Sequence, residues 1–331
     1  MTAPGPSVEA AGPTVGAIPA VIPASTRSLR WLIVGMAVLL VVAPFVFYPV
    51  ILMKALCLAL FACAFNLLLG YSGLLSFGHA LFFGGAGYIA GQAALVWGFP
   101  FELAVLTGTA AAAVLGLAVG WLAIRRQGIY FAMITLALAQ MFYFYCLRAK
   151  FTGGEDGIQG IPRGKLLGVL SLNNNLTMYF VVLALFLFGF LAILRIVHSP
   201  FGHVLTAIRE NEPRAISLGY KTDHYKLIAF VLSAALSGLA GGTKSIVFEL
   251  ASLTDVYWTT SGEVILIVLL GGLGTLFGPV VGAFVIVVVE NYLAQLGGWV
   301  TVVQGALFVV CVLAFRRGIV GELSRLLHRP L

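Results

Sequence analysis

Apolar runs of about 20 residues recur along this chain, and no other feature limits its fold as strongly. As a helix, a run of about 20 apolar residues crosses the hydrocarbon core of a bilayer. The 331 residues are 61% hydrophobic and only 9% charged, with a mean hydropathy of +1.06. The runs are continuous rather than alternating, which excludes a transmembrane β-barrel. The sequence therefore predicts an all-α, polytopic bundle of transmembrane helices.

We predict about ten spans, or eight or nine if the short segments that end near Gly70 and Leu273 are re-entrant. An inside N-terminus places thirteen of the 19 Lys and Arg residues on the cytoplasmic side, as the positive-inside rule requires. Both termini are therefore expected to be cytoplasmic. The expected organisation is a disordered cytoplasmic tail (1–26), a membrane domain (27–320) and a second cytoplasmic tail (321–331). The predicted spans are 31–50, 55–70, 74–97, 101–124, 128–147, 176–197, 227–248, 260–273, 277–295 and 299–315.

A charged segment, Ser199–Gly219, interrupts the apolar pattern on the predicted cytoplasmic side. Asn211 is suited to cap a helix, Glu212 and Pro213 to occupy its first turn, and Gly219 to follow its last. The pattern predicts a two-turn surface helix. Because so short a helix is marginal alone, we expect it to dock on a partner protein. The alternative is a solvated loop that is capped for its own stability.

The segment NLLLGYSGLLSFGHALFFGGAGY, Asn66–Tyr88, breaks an apolar run with glycines and places polar groups at membrane depth. Such groups need partners from protein or water. One interpretation is a broken helix that lines a cavity, and the alternative is a plain turn between two helices. The candidate translocation-pathway residues are Asn66, Tyr71, Ser72, Ser76, His79 and Gln140.

The segment FTGGEDGIQGIPR, Phe151–Arg163, is rich in glycine and carries two adjacent acids. Our topology places it outside the membrane. A mobile, acidic loop suits a segment that closes over a pathway or meets a binding protein. The candidate contact residues of this periplasmic loop are Thr152, Gly153, Gly154, Glu155, Asp156 and Gly157.

Two glycine-rich segments come close to nucleotide-binding motifs without matching them. LLGGLGTLFGPVVGA, Leu269–Ala283, misses the dinucleotide spacing by one residue and has no βαβ context, and GLAGGTKS has Thr243 where a P-loop needs glycine. No ATPase site, metal site or catalytic constellation is expected, so energy must come from a partner. Three acids, Glu102, Glu263 and Glu290, lie in spans or at span ends. Each has either a function within the membrane or a side chain that simply extends to the water interface.

These segments, in this order over residues 30–320, resemble branched-chain amino acid ABC transporter permeases of the LivM type. The resemblance implies a multi-pass permease of the bacterial inner membrane. Its implied partners are a LivH-like permease, two ABC ATPase subunits that bind ATP and Mg, and a periplasmic substrate-binding protein. It also makes the charged segment an ATPase-coupling loop, in which this chain has Glu-Pro-Arg-Ala where many permeases have Glu-Ala-Ala. The implied coupling residues are Arg209, Glu210, Asn211, Glu212, Pro213, Arg214, Ala215 and Gly219.

Three other functions compete with this expectation. A urea or short-amide permease would have a similar subunit. An ion-coupled secondary transporter would need carboxylates at the midplane, and none is evident there. A membrane enzyme would need a catalytic constellation. The net charge of +7 does not indicate nucleic-acid binding, because no basic cluster is interleaved with exposed aromatic residues.

Overall fold

The structure is a computed structural model that describes residues 26–166, 168, 170–293, 302–303, 305–306, 309 and 318–326. Helices dominate it, which confirms the all-α class. The described residues also form four two-residue strands, four 3-10 turns and one π-helical turn. The helices are α1 (Thr26–Val42), α2 (Pro49–Asn66), α3 (His79–Leu95), α4 (Phe101–Ala123), α5 (Ile129–Arg148), α6 (Asn175–Val197), α7 (Pro200–Glu210), α8 (Glu212–Ser217), α9 (Thr222–Val247), α10 (Trp258–Gly271), α11 (Gly278–Leu293) and α12 (Gly318–Leu326). The strands are β1 (Ile158–Gln159), β2 (Lys165–Leu166), β3 (Leu170–Ser171) and β4 (Leu250–Ala251).

Five helices of the described chain are long and apolar enough to cross a membrane. They are α2 with its continuation to Ser72, α4, α5, α6 and α9. Three shorter apolar helices cover Trp31–Phe45, Trp258–Gly271 and Gly278–Leu293. The count of ten and the cytoplasmic termini stay predictions. The predicted span 299–315 and the tail 1–26 lie largely outside the described residues. The predicted tail 321–331 is described as far as residue 326, and it includes the end of α12, which packs against α10 and α11.

The boundaries predicted for two neighbouring spans were wrong. The span placed at 55–70 is not short, because one helical segment of 24 residues runs from Pro49 to Ser72. The next helix begins at His79 rather than at residue 74. Between them Gly73 adopts φ +74°, a left-handed conformation that ends the first helix and that glycine adopts without strain.

The core lies around α2 and α9. The most apolar 18-residue stretch of each helix shows how deeply that helix is buried. In α2 with its continuation to Ser72, 83% of this stretch is buried, and in α9 67% is buried, but in α5 only 28% is buried. Small residues let the central helices approach closely. A Cβ added at Gly241 of α9 would overlap the carbonyl oxygen of Phe83 in α3, and one at Gly238 would overlap the Cβ of Ala112 in α4. The peripheral helices therefore leave apolar faces for lipid or another membrane subunit.

The two ends of the bundle differ in structure. At one end, called here the ribbon end, β1 pairs antiparallel with β4, with Ile158 opposite Ala251. This pairing ties the segment between α5 and α6 to the chain that follows α9. The opposite end, called here the α8 end, carries α7, α8, the break after α2 and the turn between α10 and α11.

Candidate functional site

The surface helix predicted from Glu212 is confirmed as α8. The Asn211 side chain accepts a hydrogen bond from the backbone N–H of Arg214 at 3.0 Å, which satisfies one free donor of the first turn. Glu212 is an acid in that turn, where the helix dipole favours it. Gly219 follows the helix with φ +89°. Local capping chemistry therefore forms this helix as the sequence indicates.

The preceding residues are also helical, which the sequence analysis missed. Helix α7 begins at Pro200, and the Ser199 hydroxyl accepts a hydrogen bond from the N–H of Gly202. Ser-Pro at the N-cap and first helical position was the available signal. The charged segment therefore consists of two consecutive helices, α7 and α8, rather than a loop with one helix.

One face of α8 is fixed to the bundle. The Glu212 carboxylate pairs with the Lys226 ammonium at 2.5 Å, and Lys226 is only 4% exposed. Ala215, one turn further along α8, is buried. Lys226 therefore holds α8 in position, and its charge is not available to a partner protein.

The other face of α8 is exposed and partly apolar. Ile216 is 55% exposed and Leu218 is 71% exposed, and Arg214 lies beside them in solvent. Of the remaining candidate coupling residues, Glu210, Asn211, Pro213 and Gly219 are also exposed. Two large apolar side chains at the end of a charged helix form a surface typical of protein docking.

Arg209 faces inward, unlike Arg214. Its guanidinium donates a hydrogen bond to the carbonyl oxygen of Gly70, in the last turn of the segment that continues α2. It also lies beside Gly73 and Gly274. Arg209 therefore connects α7 to the break after α2.

The apolar run is interrupted after Ser72, where a turn leads to α3, and two of its polar side chains, Asn66 and Ser72, have protein partners. That this segment lines a cavity stays a prediction. The chain continues from α2 as a π-helical turn, Leu67–Ser72. The Asn66 amide donates to the carbonyl oxygen of Thr275 at 2.8 Å and accepts from the N–H of Gly274 at 3.0 Å. The Ser72 hydroxyl donates to the carbonyl oxygen of Leu68 at 2.7 Å. Asn66 therefore fastens the end of α2 to the α10–α11 turn.

The other candidate pathway residues do not form one cluster with Asn66. His79 is fully buried, and its Nε2 lies 2.9 Å from the Ser233 hydroxyl. Because that hydroxyl donates to the carbonyl oxygen of Ala64, Nε2 is the donor of this pair. Ser76 accepts a hydrogen bond from the N–H of Gly78, Tyr71 lies half-buried in the π-helical turn, and Gln140 lies half-buried on α5.

The segment predicted as a periplasmic loop is shaped by a hydrogen bond to the backbone and by glycine turns. The buried Thr152 hydroxyl donates to the carbonyl oxygen of Ala149 at 2.7 Å. Gly153, Gly154 and Gly157 all have positive φ. Glu155 and Asp156 are exposed between them. Glu155 and Asp156 are therefore the two of the six candidates that present charged side chains to solvent.

A charged cavity at the ribbon end brings together residues that sequence reasoning treated separately. It measures about 260 Å³ and lies between α2, α3, α9, α10 and α11. Lys54 pairs with Glu290 at 2.8 Å, and Lys244 pairs with Asp255. Glu263 lines the same cavity. The missed signal was the presence of two lysines, Lys54 and Lys244, within apolar runs, where each charge needs a partner.

The fold defines a polytopic membrane protein built from buried, close-packed helices, with a capped surface helix at one end. The chain belongs to the family described as "Branched-chain amino acid transport system / permease component", whose model matches residues 48–312. Members of this family are transporter subunits rather than enzymes.

Two relatives of this chain are also described as permease proteins for branched-chain amino acid transport. The "High-affinity branched-chain amino acid transport system permease protein LivM" of Escherichia coli (strain K12) is 27% identical over 271 residues. The protein with the same name from Salmonella typhimurium (strain LT2) is 26% identical over 271 residues. The match covers 75% of this chain and 64% of each relative. No solved structure matches the chain.

Proposed function

We propose that this chain is the permease subunit of an ATP-driven importer for branched-chain amino acids in the bacterial inner membrane. The observation that carries this proposal is the two-sided nature of α8. One face is anchored through Glu212 and Lys226, while Ile216 and Leu218 are left exposed for an ATPase subunit. The family supports the transport class, and its description supports the substrate class. In this assignment the α8 end faces the cytoplasm.

The geometry supports a route by which ATPase movement reaches the core. Force on α8 passes to α9 through the Glu212–Lys226 pair. Through α7 it passes to the carbonyl oxygen of Gly70 by way of Arg209. Gly70 lies in the same turn that Asn66 connects to the α10–α11 turn. Closure of the ATPase subunits would thereby shift the ends of α2, α9, α10 and α11 together and change the side on which the pathway opens.

The remaining partners complete this importer. A second, LivH-like permease would cover the exposed apolar faces of the peripheral helices. Two ABC ATPase subunits would bind ATP and Mg. A periplasmic substrate-binding protein would dock at the ribbon end, where Glu155 and Asp156 are exposed.

Uptake into right-side-out vesicles tests this function. Right-side-out vesicles that carry the whole importer and internal ATP are expected to accumulate labelled leucine when the binding protein is added outside. The matched control carries an ATPase subunit without its catalytic glutamate. Accumulation of urea instead of leucine would transfer the assignment to an amide permease. Accumulation driven by an ion gradient without ATP would identify a secondary transporter.

A further inference from the structure

The charged cavity at the ribbon end has its two signs of charge on different walls. Lys54 of α2 and Lys244 of α9 supply two ammonium groups. Glu263 of α10 and Glu290 of α11 supply two carboxyl groups, and Asp255 a third. Lys54 contacts Glu290 at 2.8 Å and Lys244 contacts Asp255, so two ion pairs flank a space of about 260 Å³, and Glu263 adds a further carboxyl group to its lining.

Fold stability alone does not account for this arrangement. Both ion pairs are part-buried, and such pairs are often no more stabilising than well-packed apolar side chains of similar volume, because each charge loses part of its hydration. A purely structural pair would also be expected to close the space around it. Here the space stays open and has a polar rim of Thr254, Thr259 and Thr260. The volume lies just below the range of about 300–1,000 Å³ typical of drug-sized ligands, so a smaller ligand fits.

From this geometry we infer that the cavity binds the zwitterionic head group of an α-amino acid. The carboxylate of the ligand takes the lysine wall, Lys54 and Lys244, and its ammonium group takes Glu263 and Glu290. Leu58 and Phe83 also line the cavity and offer an apolar surface to an aliphatic side chain. The assignment deepens the proposed function and rests on it, because it makes this cavity a station of the import pathway.

Charge balance selects a zwitterion over other small ligands. A zwitterion brings one charge of each sign, so its entry exchanges existing ion pairs for new ones without changing the net charge of the cavity. A carboxylate or an amine alone would pair with one wall and leave the charge that it displaces on the other wall without a new partner. Urea brings no charge to either wall. Among the described residues no group of three His, Cys, Asp or Glu side chains is arranged to hold a metal ion.

The position of the cavity matches a first station for imported substrate. It lies at the end of the bundle opposite α8, next to the chain that leads from β4 to α10. Helices α2, α9, α10 and α11, which supply its two lysines and two glutamates, also extend to the α8 end. Movement of those helices would therefore change the shape of the cavity and its contacts with the bound ligand.

Protection of an introduced thiol tests the assignment. Thr259 lines the cavity and is exposed, and a Thr259→Cys variant places a thiol at its rim. The free cysteines Cys57, Cys63 and Cys146 are buried, and Cys311→Ser removes the fourth thiol of the chain. In the assembled importer, saturating leucine is expected to slow alkylation of Thr259→Cys by a water-soluble maleimide about tenfold, whereas leucinamide, 4-methylpentanoate and urea leave it unchanged.

Charge-removing variants give an independent readout. Lys244→Met and Glu263→Gln are expected to abolish protection by leucine and to lower the maximal rate of leucine uptake about tenfold, while the binding protein keeps its affinity. The matched control is Glu102→Gln, because Glu102 lies outside this cavity in the first turn of α4. It is expected to retain protection and uptake.

The outcomes separate the cavity from the function as a whole. Wild-type importer that accumulates leucine, together with a Thr259→Cys thiol that reacts equally with and without leucine or does not react at all, would overturn the cavity assignment alone. Equal protection by leucine and leucinamide would overturn the zwitterion assignment. Absence of ATP-driven leucine uptake by the wild-type importer would overturn the proposed function itself.

Discussion

The guanidinium of Arg209 donates a hydrogen bond to the carbonyl oxygen of Gly70, which lies 139 residues earlier in the chain. The contact joins a surface helix to the point where a core helix ends. Five residues further on, Arg214 has the same charge but lies in solvent. Two arginines of one charged segment therefore have different environments and are expected to have different roles.

Replacing Arg209 tests whether α7 transmits movement to the core. Arg209→Ala removes the donor to Gly70, and we expect ATPase subunits to remain bound while leucine uptake per ATP hydrolysed falls about tenfold, because a charge-assisted hydrogen bond is lost. Arg214→Ala is the matched control and should keep this ratio. An Arg209→Ala importer with a normal ratio of uptake to hydrolysis would contradict the role given to the contact.

The exposed apolar residues of α8 are expected to form the docking surface. Ile216→Asp and Leu218→Asp should abolish co-purification of the ATPase subunit, because a charge would have to enter an apolar interface. Neither should change the free energy of unfolding by more than about 0.5 kcal/mol, since both side chains are exposed. Ser217→Asp adds the same charge to α8 without removing an apolar contact. We expect Ser217→Asp to keep the ATPase subunit bound. If it also loses co-purification, then the added charge, and not the lost apolar contact, decides docking.

The Glu212–Lys226 pair is expected to hold α8 against α9. Glu212→Gln leaves the Lys226 ammonium nearly buried without its counter-charge, and we expect a loss of about 3 kcal/mol in the free energy of unfolding. The double variant Glu212→Gln/Lys226→Met should lose less than Glu212→Gln alone. Reversible denaturation in mixed micelles measures both. Additive losses in the double variant would mean that the two side chains act independently.

Asn66 is expected to fasten α2 to the α10–α11 turn. Asn66→Ala leaves the N–H of Gly274 and the carbonyl oxygen of Thr275 without this partner, which should lower the free energy of unfolding by about 1–3 kcal/mol. Asn173→Ala, at an exposed position before α6, is the control and should be neutral. Equal stability of the two variants in mixed micelles would contradict the fastening role.

Close approach of α3 and α9 depends on Gly241. Gly241→Ala places a methyl group against the carbonyl oxygen of Phe83, so the helices must separate, and we expect a loss of about 1–3 kcal/mol in the free energy of unfolding. Gly262→Ala is the matched control, since no atom lies within 4 Å of a Cβ added there. It should be neutral or stabilising by up to about 1 kcal/mol, because alanine favours the helix. A neutral Gly241→Ala would show that the helices can separate freely.

Features set by neighbouring residues could be predicted from the sequence, and α8 shows why. Its cap joins Asn211 to Arg214, three residues away, so the pattern alone identified it. The interruption between α2 and α3 was also visible, because glycines and polar residues interrupt an apolar run there. The boundaries there were wrong, since a π-helical turn carries the helix on to Ser72 although Gly70 suggested an earlier end. A helix packed against its neighbours tolerates such a glycine.

Contacts between distant segments could not be predicted. The inward direction of Arg209 depends on where the end of α2 lies, and the exposure of Ile216 depends on which face of α8 meets α9. The charged cavity depends on five helices, with Lys54 and Glu290 separated by 236 residues. Each charge looked like an isolated interfacial residue, because hydropathy patterns contain no information on which helices become neighbours.

The Lys54–Glu290 pair also has a consequence for synthesis of the protein. Helix α2 is made early, whereas Glu290 emerges only after all the other helices that surround α2. During this interval the ammonium group of Lys54 lies in a nascent span without its final counter-charge. We therefore expect α2 to remain near the water–lipid interface or beside a membrane insertase until α11 arrives. Burial of α2 would then be one of the last steps of assembly, and a ribosome stalled before residue 290 would leave α2 accessible to aqueous reagents.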